Sequence, residues 1–166
     1  MAVTATGITV VRVQATRTET LDLATDTSNI DDENSVTYTS GTGTNCINEI
    51  WSDSCSAAAS ADDHDLSNLT QGERSGIAFA KVRTLRIFNS STTTSYDLLV
   101  GAAASNPVAW FADTTDKIRI EPGGELLLTS PIDGMAVASD SADILRVDPG
   151  ANTVTYDIEI TGVAAT

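Results

Sequence analysis

From Gly76 onward the chain repeats one pattern, a short run rich in Val, Ile, Leu and Thr followed by a turn, at the spacing of about 8 to 12 residues that marks a sandwich or barrel. The cleanest run is "TVTYDIEITG". Val154, Tyr156, Ile158 and Ile160 fall on one face of it and Thr155, Asp157, Glu159 and Thr161 on the other. That alternation has the period of a strand with one buried side. No stretch carries the i, i+3, i+4, i+7 apolar spacing of an amphipathic helix. The expected fold is all-β: an antiparallel β-sandwich, jelly-roll-like, of about eight to ten short strands. The 166 residues suit one domain able to bury a core without metal or disulfide staples.

Residues 8–24 read as two strands, the second placing Leu21 and Leu23 on one face. Met1 to Gly7 are left as an N-terminal arm. From 25 to 75 the pattern stops. Ser, Asp, Asn, Gly and Ala dominate, and apolar residues come singly, so this segment reads as a long irregular excursion from the sandwich. A short strand at "SVTYT" and a turn of helix near "CINEIW" are expected within it.

Charge narrows the function classes. Nine Lys/Arg stand against 23 Asp/Glu, a net charge of -14, which speaks against nucleic acid and anionic membranes as partners. No basic residue lies between Arg17 and Arg74, so the excursion should be highly solvated or should face something basic. The N-terminus has neither the positive start nor the continuous apolar run of a signal peptide, and no window approaches a membrane span. Synthesis and folding in a cytoplasm are therefore expected. There Cys46 and Cys55, with eight residues between them, either stay as free thiols or close a small disulfide loop after release.

Candidate chemical sites are weak. "IEPGGELLLTSP" (residues 120–131) has a Pro-Gly-Gly turn, but a strand beginning with Glu125 follows it where a phosphate loop would continue into a helix with Lys and Ser/Thr. It reads as a hairpin corner, with Leu126 and Leu128 inward and Leu127 outward. His64 is the one histidine and reads as a solvated surface residue with no nucleophile beside it. "DDHD" (62–65) and "DTSNIDDEN" (26–34) lack the spacing of a Ca²⁺ loop and read as solvated acid. No catalytic, cofactor-binding or metal residues are therefore assigned, and no enzyme activity is expected. Five residues are candidates for partner contact: Trp51, in the irregular region; Leu127, outward on its strand; and the basic cluster Lys81, Arg83 and Arg86, which could pair with the acidic excursion of the same chain or of a neighbour.

Three segments, "AKVRTLRIFNSSTTTSYDLLVGAAASNP", "DKIRIEPGGELLLTSPIDGMAV" and "DILRVDPGANTVTYDIEITG", resemble small virion proteins of tailed bacteriophages over roughly residues 76–163. The shared features are a strand ending in Asn and a Ser/Thr turn, a "PGG-LLL" corner, a "DG-AV" turn and a last "YDI" strand. The resemblance implies a capsid decoration (cement) protein on the outer surface of a virion. Such a protein binds the major capsid protein, is often a homotrimer and uses no cofactor. The competing expectation is a receptor- or glycan-binding module of a tail or head fibre, which would need an exposed aromatic near Trp51.

Overall fold

Period-two side chains, β-branched residues and frequent turns leave the backbone one economical way to satisfy its hydrogen bonds, and the chain takes it throughout. The computed structural model describes residues 4–20, 22 and 25–166, among which there are fourteen strands and no helix. In order they are β1 (Gly7–Thr20), β2 (Thr25–Ser40), β3 (Cys46–Ile47), β4 (Glu49–Ala58), β5 (Asp62–Asp65), β6 (Leu69–Gln71), β7 (Arg74–Ile77), β8 (Phe79–Asn89), β9 (Leu98–Gly101), β10 (Lys117–Ile120), β11 (Glu125–Thr129), β12 (Met135–Ala136), β13 (Ile144–Asp148) and β14 (Thr153–Ala164).

The all-β sandwich is present. One sheet has the order β11-β8-β14-β4, with β12 also paired to β8, and the facing sheet has the order β10-β9-β13-β5. The inward residues of "TVTYDIEITG" are buried as the alternation requires. They meet Leu85 and Ile87 of β8 beside them and Leu98, Val100, Leu145 and Val147 of the facing sheet in one core. Leu126 and Leu128 pack against that core and Leu127 lies opposite Arg86 on the outer face.

The irregular excursion is a misreading over most of its length. Residues 25–40 are the second strand of a hairpin, 49–58 are the strand beside β14, and 62–65 join the facing sheet beside β13. The helical turn near "CINEIW" is strand instead. β4 escaped notice because its inward side carries Trp51, Asp53, Cys55 and Ala57, too short and mixed a series to read as an apolar stripe. Leu21 and Leu23 lie outside the described residues, as do Met1 to Val3.

The Pro-Gly-Gly turn is also more than a hairpin corner. β10 pairs with β9 and β11 with β8, so residues 121–124 carry the chain from one sheet to the other. Pro122 presets one φ, Gly123 takes φ 72°, and Gly124 N–H donates to Glu121 O at 2.8 Å, the geometry of a type II turn. Asn89, fully buried, locks the corner. It exchanges backbone bonds with Gly123 and Gly124, and its amide donates to the carbonyls of Tyr96 (2.8 Å) and Ile120 (3.2 Å).

Candidate assembly interface

β1 and β2 pair from Gly7↔Tyr38 to Thr20↔Thr25 without a register shift. Beyond the root of this hairpin neither strand touches a sheet of the sandwich. Among the described residues β1 has no other strand partner, and β2 meets only β3, in parallel, at Thr39 and Ser40. Fourteen residues of strand make a ribbon roughly 45 Å long. It is an arm, longer than the segment 1–7 that the sequence assigned to that role.

The two faces of the arm differ. One bears Ile8, Val10, Arg12, Gln14 and Thr16 against Thr37, Ser35, Glu33, Asp31 and Asn29. Arg12 on it is satisfied internally, donating from Nε and Nη2 to the two oxygens of Asp31 at 3.0 and 3.1 Å. The other face aligns Val36, Val11, Val13, Ala15 and Ile30, with Asn34 and Asp32 opposite Val11 and Val13. Val13 and Ile30 are 55% and 57% exposed. Full burial of each large side chain here is worth roughly 1.5–3 kcal/mol, whereas an isolated two-stranded ribbon is marginal in water. The sandwich leaves this apolar stripe uncovered.

The root is anchored firmly. Tyr38 is buried, and its hydroxyl and that of Thr9 both lie 3.2 Å from Thr84 Oγ1 on the outer face of β8. β8 bulges here: Thr161 pairs with Thr84 but Gly162 pairs with Val82, leaving Arg83 as the extra residue. The bulge turns Arg83 and Thr84 toward the arm while Val82 enters the core. Arg83 is 2% exposed, and donates to Gly43 O (2.8 Å) and Ile132 O (2.7 Å). It ties the loop after β2 to the loop after β11. Ile8 and Val10 hang over Leu127, enclosing with Arg86, Glu125 and Glu159 a cleft of ≈ 290 Å³.

The expected partner-contact residues therefore separate. Trp51 is 4% exposed, its indole N–H donating to Thr70 O at 2.8 Å, so it belongs to the core and offers no platform to a glycan. Arg83 is buried and serves the arm root, contrary to its assignment to a surface contact. Arg86 does not pair with the acidic excursion but with Glu125 (3.0 Å) and Glu159 (3.1 Å), above the ring of Phe88. Lys81 is exposed and, among the described residues, has no intrachain ionic partner. Leu127 is half-buried under the arm root. Missed altogether was the stripe Val11, Val13 and Ile30, because Thr, Asp and Asn between the apolar residues of β2 hide a strand that buries neither face.

Cys46 and Cys55 are free thiols. Cys46 lies beside Thr39, whereas Cys55 sits six residues along β4 from Glu49, roughly 20 Å at strand rise. That separation excludes a disulfide. Burial pushes the Cys55 thiol up to about 11, against a smaller opposing effect of its contact with Tyr156. It remains protonated at neutral pH.

His64 is not a solvated surface residue. Its Nε2 lies 2.7 Å from Tyr156 Oη, which donates to Asp62 Oδ2 at 3.0 Å, and its ring packs 5.6 Å from that of Trp51. The single phenol proton goes to the carboxylate, so Nε2–H is the donor to Tyr156. This chain of bonds joins β5 of one sheet to β14 of the other. Although a cysteine, a histidine and an aspartate meet here, His64 serves Tyr156 and the thiol stays neutral. The cluster is a cross-sheet tie.

Burial lowers the His64 pKa, outweighing the nearby carboxylates of Asp62, Asp53 and Asp63. The sign follows from proton counting. Below about 6.5 the unfolded chain binds a proton that the folded chain refuses. The stability from neutral His64 is complete above that value and falls as pH drops through it toward the folded pKa. Denaturant midpoints taken from about pH 8 to about pH 5 should fall for the wild type and fall less for His64→Gln. Parallel pH curves for the two proteins would show that the ring does not titrate in this way.

Compared with known proteins, the chain matches no protein-family model and no curated sequence.

Proposed function

We propose that this chain is a structural protein of a phage virion that decorates and stabilises the outside of a head shell by binding across neighbouring capsid subunits. The observation that carries this reading is the β1–β2 arm, anchored at its root and bare along its apolar face. Such an arm has a use only where another surface covers it, which is the situation of a subunit in an assembly. The body supports the same reading. Its core is continuous across both sheets, its titratable cluster serves as a tie, and all seven arginines are engaged within the chain. The unspent charge is acidic, which keeps a high-copy surface protein dispersed and away from packaged nucleic acid.

The test is co-sedimentation of the purified chain with preassembled shells over a range of salt concentrations, followed by heating. Bound protein should raise the temperature at which shells rupture. Failure to co-sediment at every salt concentration would overturn the reading.

A further inference from the structure

The arm's surroundings carry one step more. A long strand edge with free backbone N–H and C=O groups is a template for another strand, and monomeric proteins blunt such edges with charged side chains, Lys above all, with Pro or with a bulge. Neither β1 nor β2 over Thr25–Tyr38 has a Lys, a Pro or a register shift, and the charges that guard them are of different sign. Both edges of this ribbon are built to be paired.

Charge tells the edges apart. β1 carries Arg12, Arg17 and Glu19, which is 2 − 1 = +1. β2 carries Asp26, Asp31, Asp32 and Glu33, which is 0 − 4 = −4. Two β2 edges side by side would set carboxylates against carboxylates, and two β1 edges would set arginine against arginine. A β1 edge against a β2 edge brings opposite charges together, as Arg12 and Asp31 already do inside the hairpin. The complementary strand of suitable length is present on every other copy of the same chain.

We infer that the arm is a self-association element: the β1 edge of one copy adds to the β2 edge of another, which sets Val11, Val13 and Ile30 of successive copies side by side on one face of the shared sheet, the inner face when the sheet closes. Because the contact uses two different edges, it closes on itself when the rotation between copies permits a ring. The joined arms then form a shared sheet outside the sandwiches, with its own core. The inference deepens the reading of the arm as an assembly element, and it requires no shell.

The experiment therefore uses the full chain alone, by sedimentation equilibrium or light scattering across a wide concentration range. The wild type should show a whole multiple of 17.3 kDa, twice that mass or more. Val13→Asp with Ile30→Asp should weaken association more than about a hundredfold, since two carboxylates would enter an apolar contact. The near-UV signal of buried Trp51 should stay unchanged, reporting an intact sandwich. Arg17→Glu, at an exposed position that the fold does not need, should weaken association about tenfold by removing an opposite-charge contact. A wild type of 17.3 kDa at every concentration would overturn the inference even if that protein bound shells, and would assign the arm to the shell instead. A folded double variant that keeps the wild-type mass would overturn it equally. Loss of shell binding by an oligomer that persists would count against the decoration reading alone.

Discussion

Gly162→Ala should prevent the native sandwich from forming. A Cβ at this position would stand 2.1 Å from Lys81 O, 3.1 Å from Lys81 C and 3.0 Å from Phe79 Cδ1. The first is a backbone atom, so no side-chain rotation relieves it. Retreat of the strand is blocked as well, because β14 is paired on both sides, to β8 and to β4, over most of its length. Gly162 sits where the register of β14 on β8 shifts, and the close approach is how the bulge at Arg83 is accommodated. The cost should exceed about 4 kcal/mol, at the severe end of single substitutions and a large part of the stability of a domain this size. The measurement is soluble yield, with a denaturant midpoint for whatever folds. A variant unfolding at the wild-type midpoint would show that β8 and β14 are not this close.

Arg83→Met should cost about 3 kcal/mol while preserving the volume of the side chain. The guanidinium is buried and gives its protons to the carbonyls of Ile132 and of Gly43, the latter also accepting from Cys46 N–H at 3.2 Å. Methionine leaves the Ile132 carbonyl without its donor and Gly43 with the Cys46 N–H alone. One saving offsets part of the loss, because Arg83 Nε has no partner in the native state and its desolvation is no longer required. The second effect concerns position. Arg83 ties together two loops that otherwise meet through the bond from Asn45 N–H to Pro131 O (2.9 Å). Hydrogen exchange at Asn45 and Gly41 should accelerate more than at β14. Uniform acceleration would mean that Arg83 stabilises the whole sandwich and has no special hold on the arm root.

The sheet that follows Gly76 is legible because strands with one buried face advertise themselves. In β14, Val154, Tyr156, Ile158 and Ile160 alternate with polar residues, and in β9 Leu98 and Val100 do the same. Leu127 reads correctly as outward for the same reason. The rule fails where its premise fails. β2 buries neither side over most of its length, so "DTSNIDDEN" has no apolar face to display and reads as loop. At β8 the bulge breaks the period, and no count by twos sends Arg83 to the arm root while Val82 goes inward. His64 was misjudged because acidic neighbours suggest water. Two of its three aspartate neighbours remain at the surface or bonded elsewhere, while Tyr156 and Trp51 enclose the ring itself. Period reports burial; it does not report pairing.

The position of β14 constrains how the protein is made. It is the strand between β8 and β4, yet its residues leave the ribosome after both of theirs. Until Thr153 and its successors emerge, β4 has no neighbour in its sheet, β8 is unpaired along the edge that β14 takes, and the facing sheet lacks Val154, Tyr156, Ile158 and Ile160 to pack against. Folding of the sandwich is therefore a late event, governed by contacts between distant parts of the chain, and slow by the usual dependence on sequence separation. A nascent chain stalled before that point carries open edges on β4 and β8 and a core missing four large side chains. Translational pausing there would expose an aggregation hazard that the finished molecule no longer has.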